Sequence, residues 1–246
     1  DCIWVRSWGG HFIHDVAVNP VDDSVYATGY FEGQILVNGQ EWIAGLYSGF
    51  FIQFKQDGSW GFTKKLVGNS TDVGTKIAFD TTGNIFLAGY YSSNGLKIEG
   101  HSLYSPGYHS LLLVSYQIDG SYRFHQNWYG TASARIFGMV LEGNNILLSG
   151  QYSDQIFGMT SAGGIDVFVI RVQDISGTIL QQHSFGDANQ EYLTYMAKVD
   201  GRLYIMGSYL TATKFLEFSL IALVTRSSAQ SPCSLFVIKF EDACVG

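Results

Sequence analysis

The sequence predicts an all-β chain folded as a four-bladed β-propeller of four-stranded antiparallel blades, on three observations. A Gly-x-aromatic signature ends an apolar strand four times, at Gly29, Gly89, Gly150 and Gly207, with intervals of 60, 61 and 57 residues. Self-similarity at a near-constant period marks repeat architectures, in which each unit buries its faces against its neighbours. The repeated strands are apolar nearly throughout, which suits sheets covered on both faces, and hairpin signals separate them.

Each copy opens with a short apolar strand and a turn, as in Lys76-Ile77-Ala78-Phe79 before Asp80-Thr81-Thr82-Gly83-Asn84, and Tyr195-Met196-Ala197-Lys198-Val199 before Asp200-Gly201. The strand carrying the repeat glycine follows. A third strand is expected at residues 50–56, 111–118, 167–173 and 235–241. Three of these pass through Asp57-Gly58, Asp119-Gly120 or Ser176-Gly177 into a fourth strand, which ends at Val67-Gly68, Tyr129-Gly130 or Phe185-Gly186.

The last copy has no room for a fourth strand, but the segment Ile3-Trp4-Val5-Arg6-Ser7-Trp8-Gly9 is left over at the start. Its Trp4 matches Trp60, and Trp8-Gly9 matches Val67-Gly68. The N-terminal strand is therefore expected to complete the C-terminal blade, which leaves the ring no open edge. With 3 prolines, 29 scattered glycines and no linker-like run in 246 residues, one domain spanning 1–246 is expected. Its repeats are approximately 10–68, 69–130, 131–186, and 187–246 together with 1–9.

In the register of the other hairpins Cys244 falls opposite Cys2. A disulfide between them would close almost the whole chain into a loop, worth about 5 kcal/mol by chain entropy as an upper figure, and would belong to an oxidising compartment. The competing reading is three reduced, buried thiols, Cys233 included.

Segments such as Ser161-Ala162-Gly163-Gly164-Ile165-Asp166-Val167-Phe168-Val169-Ile170 and Asp80-Thr81-Thr82-Gly83-Asn84-Ile85-Phe86-Leu87-Ala88-Gly89 resemble the SBBP β-propeller repeat family. The resemblance runs over essentially the whole chain, on structural motifs. It implies a propeller in a secreted or surface-attached protein and carries over no catalytic residues. The third copy departs from it by lacking the Asp-Gly turn, and the fourth by an enlarged connection.

Composition narrows the function classes. Only 14% of residues are charged, against roughly 25% in an ordinary soluble domain, while 46% are hydrophobic and 15% aromatic. Either the core between stacked blades is large, or part of the surface is covered by a partner or by sugar. A net charge of −7 without a basic cluster argues against nucleic acid. The longest apolar stretch, near residues 215–224, is about half of the roughly 20 residues a membrane-spanning helix needs. Asp1 reads as the end left by signal removal or trimming, and Asn69-Ser70-Thr71 is the one N-glycosylation sequon.

Motifs for chemistry are sparse. The histidines His11, His14, His101, His109, His125 and His183 form no metal-ligand spacing, and His11 with His14 comes nearest to a pair. No nucleophile elbow, phosphate loop or EF-hand pattern occurs, so no catalytic residue, metal or cofactor is expected. Ser70-Thr71-Asp72-Val73-Gly74 resembles the Asp-box of sialidase propellers, but Ile77 stands where an aromatic belongs. Asp15, Asp72, Glu142 and Glu191 are the carboxylates that would cleave glycosides if two met at the propeller mouth; solvated or turn-bonded loop carboxylates are the plainer reading. Trp4, Trp60 and Tyr122 start equivalent fourth strands and are expected to pack between blades. Trp42, Tyr47, Tyr104 and Tyr108 lie in connections between second and third strands, where they would offer platforms to sugars or to another subunit.

The longest such connection, in the fourth copy, holds the apolar residues Phe215, Leu216, Phe218, Leu220, Ile221 and Leu223, then Cys233. It either folds back on its own blade or forms a contact between subunits. The expectation is a non-enzymatic module at the cell surface or secreted. It would self-assemble into a filament or coat with copies of itself or another surface protein. A carbohydrate-binding or adhesion propeller is the alternative, and a glycoside-cleaving enzyme comes third.

Overall fold

The Asp-Gly pairs turn the chain where the sequence places them. Gly58 and Gly120 have φ of 77° and 83°, in the left-handed region that glycine enters without a Cβ clash. Asp57 and Asp119 each accept a hydrogen bond from the backbone amide two residues on, at 2.8 Å. These carboxylates are held below their ordinary pKa, first by the hydrogen bonds from Ser59 and Ser121.

The computed structural model describes residues 4–6, 11–131, 133–200, 202–209 and 234–240. The described chain is all-β and is a four-bladed β-propeller. Blade one runs β1 (His11–Val18), β2 (Val25–Phe31), a small hairpin β3 (Gln34–Val37) and β4 (Gln40–Ile43), then β5 (Ser48–Phe54) and β6 (Trp60–Lys65), with sheet order β1-β2-β5-β6. Blade two repeats this with β7 (Asp72–Phe79), β8 (Ile85–Tyr91), the hairpin β9 (Leu96–Ile98) and β10 (His101–Leu103), β11 (Ser110–Tyr116) and β12 (Tyr122–Trp128). Blade three is β13 (Ala134–Glu142), β14 (Asn145–Tyr152), the hairpin β15 (Gln155–Ile156) and β16 (Met159–Thr160), β17 (Asp166–Gln173) and β18 (Ile179–Phe185). Blade four has three described strands, β19 (Glu191–Val199), β20 (Arg202–Tyr209) and β21 (Ser234–Phe240).

The chain divides into two compact units, one of residues 1–129 and 175–177, the other of residues 130–174 and 178–246. In the first, blades one and two share a core: Tyr26, Phe51 and Leu66 pack with Ile77, Leu87, Val114 and Tyr116. In the second, Leu147, Val167 and Val169 of blade three pack with Leu193, Met196 and Ile205 of blade four. The near-continuous apolar strands are thus read correctly as sheets covered by sheets: every residue of β5 and of β11 is buried.

The repeat glycine has a specific cause. Each first strand bulges at one position, between Ile13 and Asp15, Gly74 and Lys76, Ile136 and Gly138, and Leu193 and Tyr195. The bulged strand drives a carbonyl against the second strand. A Cβ on Gly29 would lie 1.8 Å from the Phe12 oxygen, on Gly89 2.1 Å from Val73, and on Gly150 2.1 Å from Arg135. Only glycine leaves the ladder room. The aromatic two residues on is a core anchor: Phe31 and Tyr91 are fully buried and Tyr152 nearly so.

The small hairpins fold back over their own blades. Ile35, Val37 and Trp42 join Phe31, Phe50 and Ile52 in one buried cluster, and Leu96, Ile98 and Leu103 join the core of the first unit. Trp42 is therefore no platform for a sugar; it packs beneath its hairpin, 6.1 Å from Phe31.

Trp4 and Trp60 flank the same cluster, Trp4 at 5.9 Å and Trp60 at 4.9 Å from Phe54, and Tyr122 packs at 6.4 Å from Tyr116. Residues 4–6 carry no strand pairing. Trp4 donates its indole N–H to the Gln56 carbonyl at 3.0 Å, and Arg6 donates Nε to the Gly58 carbonyl at 2.6 Å. A Cβ on Gly58 would meet the Trp4 ring, as one on Gly120 would meet the Phe62 ring. Residue 4 thus stands toward blade one as the outer strand of blade one stands toward blade two. The pairing of the 3–9 segment with the last blade, Cys2, Cys244, Cys233 and the apolar residues 215–224 lie outside the described residues.

Candidate functional site

Each of the first three blades has two ends. At one lie the tight turns between first and second and between third and fourth strands; at the other lie the longer connections between second and third strands and from blade to blade. Side chains at two positions of this connection end recur by register. Ser48, Ser110 and Asp166 open the third strands opposite Phe31, Tyr91 and Tyr152. The residues just before each of these six are Tyr47, His109 and Ile165, and Tyr30, Tyr90 and Gln151.

In blade one, Tyr30 and Tyr47 meet edge to face, centroids 5.1 Å apart at 76°. In blade two, Tyr90 and His109 meet the same way, at 5.0 Å and 86°. Such edge contacts place a positive ring edge on a negative ring face. Phe12, 57% exposed, stacks on Tyr30 at 5.0 Å, and His14 on the bulge approaches it edge-on at 5.5 Å. Burial, then the Glu32 carboxylate, raise the Tyr30 phenol above its ordinary pKa. Tyr104 and Tyr108 are exposed on the connection leading to His109.

A polar seam runs beside these rings. Tyr47 pairs with Thr71 as an isolated parallel bridge, and Ser70 and Thr71 are tied to Ser92 and Ser93 through their hydroxyls and amides. Ser93 donates Oγ to the fully buried Asp72 at 2.8 Å. Burial raises the Asp72 carboxyl to about 7, against the lowering effect of that bond. Asn69, the sequon asparagine, is exposed at the same end.

In blade three the aromatic pair is missing. Gln151 and Ile165 hold its positions, and there a cavity of about 270 Å³ opens, lined also by Ser133, Arg135, Tyr152, Ser153 and Tyr192. The Tyr192 hydroxyl donates to Gln190, and the Ser153 amide donates to the Ser133 carbonyl at 3.0 Å. The sequence reading passed over Arg135, Gln151, Ile165 and Tyr192. The signal was the middle residue of the Gly-x-aromatic signature, tyrosine in the first two copies and glutamine in the third.

The four candidate carboxylates each have other partners. Asp15 accepts from the Ile77 amide at 2.9 Å and faces Lys76 at 3.7 Å, which links blades one and two. Glu142 lies between Arg171, at 2.9 Å, and Lys198. Glu191 is fully buried and accepts from the Asp187 amide at 3.2 Å. The structure therefore gives each a bonding role within the blades. The side chain of His11 is not described, so its pairing with His14 lies outside the described residues. No group of three or more histidine, cysteine or acidic side chains suited to a metal occurs among the described residues. No helix of the described chain is long and apolar enough to cross a membrane.

No curated protein matches the chain. Among solved structures it is similar to quinohemoprotein alcohol dehydrogenases from Pseudomonas putida HK5 and Comamonas testosteroni. Identity is 12% to each, with TM-scores of 0.42 and 0.40, over 92% and 85% of this chain. The chain spans 48% and 37% of their lengths. It is also similar to a β-1,3-galactosidase with galactodeoxynojirimycin, at 11% identity and TM-score 0.41, over 96% of this chain and 74% of that one. Residues 62–97, from the outer strand of blade one into the hairpin of blade two, match the SBBP family model, Beta-propeller repeat, the family the sequence resembles.

Proposed function

We propose that the protein is a non-enzymatic, secreted or cell-surface binding module that recognises carbohydrate at the connection end of its blades. The observation that carries this is the recurrence of one edge-to-face aromatic pair, Tyr30 with Tyr47 and Tyr90 with His109, at equivalent positions of two blades. Aromatic faces accept the C–H faces of sugar rings, and hydroxyl and amide groups fix their orientation. Phe12, Tyr104 and Tyr108 add exposed ring surface at that end. A glycan array probed with the purified protein tests the reading: binding that falls at least tenfold on Tyr30→Ala supports it, and an array without any binder removes it.

A second reading is self-assembly into a filament or coat, favoured by the low charged fraction and by the apolar run at residues 215–224. The residues concerned are Phe215, Leu216, Phe218, Leu220, Ile221 and Leu223, with Cys233 beyond. Sedimentation over a concentration series tests it: polymers that Phe218→Ser dissolves support it, and a monomer at every concentration removes it.

A further inference from the structure

We infer that the cavity of blade three is a binding site for a single carboxylated sugar ring, a hexuronate, with Arg135 holding the carboxylate. The inference rests on the carbohydrate reading above and gives that reading a defined pocket. Blades one and two fill this position with aromatic rings, and blade three replaces both with Gln151 and Ile165, leaving about 270 Å³. That volume lies below the roughly 300–1,000 Å³ of drug-sized sites, so it holds one ring and not a chain.

The lining sets the chemistry. Arg135, half-buried on β13, is the one cationic side chain among the described residues that line the cavity. It keeps an interaction within the fold, and its planar fork has five N–H donors, enough to retain that interaction and grip a carboxylate. Confinement strengthens such charge-assisted pairs. Gln151, Ser133, Ser153 and Tyr192 bring amide and hydroxyl groups suited to ring hydroxyls. The acidic neighbours in the chain, Asp166 and Glu191, accept from the backbone amides of Ala162 and Asp187 instead. Among the described residues that line the cavity, neither carboxylate is present.

Glucuronate and glucose titrated separately into the whole protein, followed by amide chemical shifts, test the inference. Glucuronate is expected to bind at least tenfold tighter than glucose, with the largest shifts at Arg135 and Gln151. Arg135→Gln should bring the two sugars to equal affinity. The double variant Gln151→Tyr with Ile165→His copies the blade-two pair into blade three and should abolish glucuronate binding while the melting temperature holds. Equal binding of the two sugars by the parent, or glucuronate binding that survives the filled cavity, overturns the inference. If array glycans still bind the filled variant, the pocket assignment fails and the carbohydrate reading stands; if no glycan binds the parent, both fail.

Discussion

Tyr30 and Tyr47, seventeen residues apart in sequence, meet edge to face at 5.1 Å because the β3–β4 hairpin returns the chain to the strand it left. Truncating Tyr47 to alanine removes one ring of the pair and leaves the strand ladder intact. The expected cost is about 1 kcal/mol of stability, with at least a tenfold loss of glycan affinity. Urea unfolding and glycan titration of Tyr47→Ala measure the two effects separately.

Gly89 is one of the repeat positions where the fold leaves no room for a side chain. A Cβ there would sit 2.1 Å from the Val73 oxygen, and relief requires moving the bulge of the first strand. Gly89→Ala should destabilise by about 2–3 kcal/mol, the upper range of overpacking. Gly95→Ala, with open space around it but φ of 84°, should cost only about 1 kcal/mol, the usual penalty of a left-handed alanine. Denaturant midpoints of the two variants rank them.

Asp72 makes stability depend on pH. Burial raises its folded-state pKa to about 7 from an ordinary 3.8, so between those values the folded chain holds a proton that the unfolded chain has lost. Stability is then full below about pH 4, falls as pH rises, and the contribution is gone above about pH 7. Asp72→Asn, which mimics the protonated acid, should flatten that slope and raise stability at pH 8 by on the order of 3 kcal/mol. Thermal melts from pH 4 to pH 8 read both effects.

Glu142 joins two blades of the second unit through Arg171 and Lys198. The three side chains are partly buried, so Glu142→Gln leaves two cations close together with weakened partners. A loss of about 1–2 kcal/mol is expected, shrinking at high salt. Unfolding in low and high sodium chloride checks the sign of the salt effect.

The blade strands were legible because their signals are local and repeated. Apolar runs such as 111–116 and turns such as Asp119-Gly120 state their own conformation, and four copies reinforce one another. The site was less legible because it depends on register. Tyr47 and His109 become equivalent only once Ser48 and Ser110 are seen opposite Phe31 and Tyr91. Trp42 misled for a related reason: a tryptophan in a long connection looks exposed until the connection folds into a hairpin that buries it. The cavity beside Arg135 is a missing pair, and an absence at one repeat is visible only against what the other repeats hold.

Amide chemical-shift mapping with a glycan taken from the array tests most directly whether the connection end is the recognition surface. The account predicts shifts at Tyr30, Tyr47, Tyr90 and His109, with none at the opposite-end turns around Gly58, Gly83 and Gly120. Shifts centred on those turns, or no shift at any of the four aromatic positions, would contradict it.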